Sequence, residues 1–116
     1  MDQQKIQKIV AAELEERYSY GFPEQFQDTI DEYLVEPFEA SFLNESTRDF
    51  DRFWVVGDLI PESPGEGHLL IYSPEEDLFG LAFKGNLSDD GAGIFLGLFG
   101  SLAQALENAW ISHEHI

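Results

Sequence analysis

Apolar residues fall at helical spacing towards both ends of the chain and at strand spacing in between. Ile6, Ile9, Val10, Leu14 and Tyr18 follow the i, i+3, i+4 pattern of an amphipathic helix. Asp2 stands where an N-cap belongs and Gly21 where such a helix stops, so a helix is predicted from Asp2 to about Tyr20. Phe22, Phe26, Ile30 and Leu34 recur every fourth residue, with Tyr33 beside them. Pro23 suits a first helical position and Pro37 a terminator, which predicts a second helix from Pro23 to about Val35. Ser101-x-x-Gln104 is a capping box, and it opens a third helix with Leu102, Ala105, Leu106, Ala109 and Trp110 on its apolar face.

The middle of the chain changes period. Phe38, Ala40 and Phe42 alternate like a strand, although Phe38, Phe42 and Leu43 also fit a helical turn; the alternation favours a strand. Phe53–Ile60 is β-branched and aromatic and reads as a strand, with Gly57 marking a bulge or close packing. His68–Ser73 and Leu78–Lys84 form a predicted hairpin across Pro74–Asp77. Ile94–Phe99 is a continuous apolar run, expected to be a strand buried on both faces. Asn44–Asp51, Pro61–Gly67 and Gly85–Gly93 are polar or rich in Gly and Pro and read as loops. Helices at the ends and strands between imply an α+β fold. The expectation is a single domain over residues 1–116, an antiparallel sheet of about four to five strands with two N-terminal helices and one C-terminal helix.

Charge alters what such a domain can bind. Six Lys and Arg face 23 Asp and Glu, a formal net charge of −17. Direct contact with nucleic acid or an anionic membrane needs basic patches, so both are disfavoured. A basic protein partner is favoured, through steering and charge-assisted bonds. The acids gather in two places. Glu24, Asp28 and Glu32 lie four apart on the predicted second helix, extended by Asp31, Glu36 and Glu39, and no Lys or Arg occurs from Tyr18 to Thr47. Glu75, Glu76 and Asp77 occupy the predicted hairpin tip. A solvated face is the plain reading of each cluster and a docking surface the functional one. The candidate partner-binding residues are therefore Glu24, Asp28, Asp31, Glu32, Glu36, Glu75, Glu76 and Asp77.

Catalytic chemistry has little to stand on. The chain has no cysteine and no Gly-x-Ser-x-Gly turn. His68 has no partner close in sequence, and His113-Glu114-His115 supplies two imidazoles without a third or fourth zinc ligand. The run from Asn86 to Gly91 echoes the start of a calcium loop, but Gly97 stands where the closing Glu belongs; a looser carboxylate site at Asp89 and Asp90 stays open. Gly91, Gly93 and Gly97 open a strand, whereas a dinucleotide fingerprint opens a helix. A binder without cofactor or metal is expected, and no enzyme. The N-terminal segment lacks the apolar run of a signal peptide and no stretch is long enough to span a membrane, which points to the cytoplasm.

Three segments resemble the SUKH superfamily of bacterial toxin-immunity proteins. They are Phe22-Pro23-Glu24-Gln25-Phe26 with a helix after it, Leu70-Ile71-Tyr72-Ser73-Pro74 leading into a hairpin, and Phe99-Gly100-Ser101-Leu102-Ala103-Gln104-Ala105-Leu106 at the closing helix. The resemblance implies an α+β fold and a stoichiometric inhibitor of a cognate toxin, often a nuclease. It carries over no catalytic residue. The alternative is a small regulatory or ligand-binding domain with an apolar pocket lined by Phe53, Trp54, Phe79 and Phe83. A third reading, a metal-dependent enzyme, requires three or more acids or histidines to converge.

Overall fold

The five strands follow one another as a meander: β1 (Leu34–Asn44), β2 (Asp49–Asp58), β3 (His68–Ser73), β4 (Leu78–Leu87) and β5 (Gly91–Gly100). The structure is a computed structural model that describes residues 2–19, 21–61, 67–87 and 91–114. Each strand runs antiparallel to the next. Four reversals leave β1 and β5 pointing the same way, and they close the sheet into a barrel through a short parallel ladder, Phe42 with Gly93 and Leu43 with Ile94. Helices α1 (Gln3–Leu14) and α2 (Leu102–Glu114) pack outside the barrel.

Side-chain alternation along β3 divides the core in two. Leu69 and Ile71 point into the barrel, where they meet Phe42, Phe53, Val55 and Ala82. Leu70 and Tyr72 point outward under the helices, against Ile6, Val10, Leu102 and Leu106. All six residues of β3 are buried, so β3 is the strand with both faces covered. That role was expected of Ile94–Phe99, but Leu96 is 45% exposed, so β5 is not covered on both faces along its length.

The expected architecture is corrected in two respects. The sheet is closed rather than open, and one N-terminal helix is present where two were predicted. The segment read as a second helix holds only two single 3-10 turns, Glu24–Phe26 and Ile30–Glu32, and then enters β1 at Leu34. A helix that short is marginal without support. Here the acids four apart repel with no Lys or Arg of the segment itself to offset them. The β-branched pair Thr29-Ile30 adds to the cost, and the Thr29 hydroxyl bonds the Gln25 carbonyl at 3.1 Å. The apolar residues reach the core regardless: Phe22 and Ile30 are buried, and Phe26 packs edge-on against Tyr33 at 6.1 Å. Pro37 is not a terminator. It sits in an irregular stretch of the β1–β2 ladder between Leu34 and Phe38, where its missing N–H breaks no pairing. Its carbonyl accepts from Gln3 Nε2 at 2.7 Å, tying α1 to the barrel.

Closure depends on glycine. The β4–β5 ladder shifts register three times, and Gly80 and Gly93 lie where the two backbones approach closely. A Cβ on Gly80 would overlap the Gly97 carbonyl, and one on Gly93 would overlap the Phe83 carbonyl. Such irregularities bend and coil a sheet until its edges meet. Gly57 marks the bulge between β2 and β3, where a Cβ would meet Leu70 Cδ1 at 2.8 Å.

Both helix starts are as predicted. Asp2 Oδ1 accepts from the Lys5 N–H at 2.9 Å, while Ser101 and Gln104 cap each other reciprocally.

At the end of the barrel away from the β3–β4 turn, Lys84 Nζ donates to both Asp58 oxygens and to the Ile60 carbonyl, each at 2.8 Å. All three ammonium donors are used. The Lys84 and Asp58 side chains are 12% and 19% exposed, so a lost partner would leave a largely buried charge. Lys84→Met is expected to cost about 2–3 kcal/mol, read as a lower urea midpoint. A cost below about 0.5 kcal/mol would show the clamp to be incidental.

Candidate binding surface

The structure separates the eight predicted acids into two regions. In the first, α1 ends at Leu14 and the chain turns, bringing Arg17 back over the following segment. Its guanidinium forks onto Asp31 with bonds of 2.8 and 2.9 Å. This hydrogen-bonded pair holds the Asp31 carboxyl below its ordinary range. A depressed carboxyl adds stability that is present above the usual carboxylate pKa and lost as pH falls through the folded value. The Tyr18 hydroxyl donates to Asp28 at 2.9 Å, and that bond pushes the Tyr18 phenol up. Asp28 and Asp31 are thus engaged by the turn after α1. Glu24, Glu32 and Glu36 are exposed, but without the helix they form no fourfold ladder.

The second region is the β3–β4 turn. Asp77 adopts a left-handed conformation, φ 54°, and accepts a short hydrogen bond from the Tyr72 hydroxyl. Burial first, and then this bond, push the Tyr72 phenol up to about 12. The neutral phenol is the favoured form. Its contribution to stability is complete below the ordinary tyrosine pKa of about 10 and disappears as pH rises towards 12. Ultraviolet titration should therefore show a tyrosine step at about 12, and Tyr72→Phe should remove that step. A Tyr72→Phe profile that still shows it would contradict the assignment.

Glu75 and Glu76 face a different environment. They border an open cleft of about 720 Å³ at the mouth of the barrel. Five consecutive residues of β2, Phe50 to Trp54, form one wall. Ser73 and Pro74, where β3 stops, form the end, and Phe95 and Leu98 of β5 lie opposite. The floor is apolar: the Phe53 ring stacks on Phe95 at 4.9 Å and 19°. The rim is acidic, with Glu39 and Asp51 joining Glu75 and Glu76. Arg52 is the base on this rim, 3.7 Å from Glu39 with both side chains exposed, a geometry that neutralises little.

Sequence reasoning missed Phe50, Asp51 and Arg52 because Asn44–Asp51 is polar and reads as a turn, and the predicted strand starts at Phe53. Strand β2 in fact begins at Asp49. The alternation of Asp51, Phe53 and Val55 on one face with Phe50, Arg52 and Trp54 on the other was the available signal.

The four aromatics proposed as a pocket do not share one. Phe53 lies inside the barrel and Phe79 is buried outside it against Tyr72 at 4.8 Å. Phe83 is 40% exposed, and only Phe53 and Trp54 reach the cleft. His68 is buried with its ring 5.3 Å from that of Phe83. His113 and Glu114 end α2; Asp89, Asp90 and His115 lie outside the described residues. Among the described residues no three His, Asp or Glu side chains come together as a metal site, and no helix is long and apolar enough to cross a membrane.

Comparison with protein-family models, with curated proteins and with solved structures found no match.

Proposed function

We propose that this chain is a non-catalytic acidic protein that binds and neutralises a basic protein partner, as a cytoplasmic immunity protein does to a nuclease-type toxin. The observation that carries this reading is the barrel-mouth cleft, an apolar aromatic floor rimmed by Glu39, Asp51, Glu75 and Glu76. Apolar contact supplies affinity there, and the carboxylates supply orientation and steering. Two of the six bases, Arg17 and Lys84, are held in ion pairs at 2.8 Å away from the rim, and Arg52 on the rim stands against Glu39, Asp51, Glu75 and Glu76. Two of the three segments that resemble SUKH immunity proteins, Leu70–Pro74 leading into a hairpin and Phe99–Leu106 at the closing helix, support the toxin-inhibitor form of the reading; the helix expected after Phe22–Phe26 is absent. A surface of this charge would stand in for nucleic acid in a basic cleft.

Affinity capture from the native host at low salt tests it. The expected catch is a protein of high pI, bound in a one-to-one complex that loosens as salt rises and suppresses that protein's own activity. Capture of acidic proteins alone, or of a basic protein whose binding ignores salt, would contradict the proposal.

A further inference from the structure

The cleft opens on an edge of a strand. Successive residues of a strand point to opposite faces, so a cleft lining one face touches every second residue. This cleft touches Phe50, Asp51, Arg52, Phe53 and Trp54 in unbroken succession. The pairing agrees. The β2–β3 ladder begins at Trp54 with Tyr72, whereas the β1–β2 ladder continues to Asp49 with Asn44. Among the described residues, β2 from Asp49 to Phe53 is therefore paired to β1 on one side and to no strand on the other. The vacant place lies directly beyond the end of β3, where Pro74 has no N–H to extend the ladder.

We propose that this edge of β2, Asp49–Phe53, takes up an extended, Lys/Arg-rich segment of the basic partner as an added strand. The proposal rests on the function proposed above and specifies how its site works. An unpaired edge offers backbone donors and acceptors to an incoming chain. Charge decides which chain. Asp49 and Asp51 on the edge, with Glu39, Glu75 and Glu76 around it, repel a second copy of a chain carrying −17 and attract a cationic strand. Alternation in the guest then divides its contacts. Side chains on one face meet Asp51 and the Phe53–Phe95 floor, and those on the other meet Glu39, Phe50 and Trp54. Phe50, 42% exposed at the same edge, gives the guest a further apolar contact.

The test uses three synthetic peptides of equal length: one alternating Lys and Val, the same peptide N-methylated at every second residue along one edge, and oligolysine. Amide hydrogen exchange of the whole protein is followed with each. The alternating peptide is expected to slow exchange within Asp49–Phe53 and to bind at least tenfold more tightly than the other two. Methylation along the opposite edge should be tolerated. If all three peptides bind equally with falling affinity in salt, strand addition is wrong and the acidic-binder reading survives. If none binds at low salt, both fail. Protection confined to residues 24–36 would overturn this site.

Discussion

Replacing Gly80 with alanine is expected to lower stability by about 3 kcal/mol. The added Cβ would lie against the Gly97 carbonyl oxygen and within 3.0 Å of its carbon. Both obstacles are backbone, so no rotamer change relieves the overlap. Strand β4 would have to move away from β5, and the shifted β4–β5 ladder that curves the barrel would be disturbed along with it. Gly85→Ala is the control. A Cβ there has nothing within 4 Å, so the change is expected to be neutral within about 0.5 kcal/mol. Urea unfolding of the two variants measures the difference directly. Equal midpoints would mean that the close approach of β4 and β5 is not what holds the barrel shut.

Reversing two charges at the barrel mouth should have the largest effect on binding. Glu75→Lys with Glu76→Lys alters the charge by four on the rim of the cleft, beside Pro74. At physiological ionic strength screening confines such changes to about 8 Å, so what matters is where the charges lie. Association with a basic partner is expected to slow by about tenfold. The triple reversal Glu24→Lys, Asp28→Lys, Glu32→Lys changes the charge by six, yet it should slow association by less than twofold, because those residues do not border the cleft. Asp28 is also bonded to Tyr18 in the turn after α1. Stopped-flow association rates for the two variants decide between the regions. A larger effect from the triple reversal would move the site to residues 24–36.

The parts of the fold written in local chemistry were legible in the sequence. Asp2 caps the first helix and Ser101 with Gln104 the last, because those bonds close within one turn. His68–Ser73 and Leu78 onward form the predicted hairpin, since period-two patterning and a four-residue turn determine it. The second helix was a failure of the same logic. Phe22, Phe26, Ile30 and Leu34 keep helical spacing, but Phe22 and Ile30 reach the core from isolated turns and Leu34 from a strand. Periodicity recorded which residues are buried and not the backbone that buries them. Closure of the sheet had no local signature beyond Gly80, Gly93 and Gly97, which could equally have marked loops or flexible strand ends. For the candidate site, Glu75 and Glu76 were found from charge alone, whereas Asp51 and Phe50 required knowing that β2 starts before Phe53. Arg17 lies one residue before the cation-free stretch, and only the turn after α1 returns it to Asp31.

Amide chemical-shift mapping of the labelled protein, as a basic partner is added, tests the central claim most directly. Perturbations gathered at Phe50–Trp54, Glu75 and Glu76, Phe95 and Leu98 are the predicted result. Perturbations gathered at Glu24–Glu36 with the barrel mouth unmoved would contradict it.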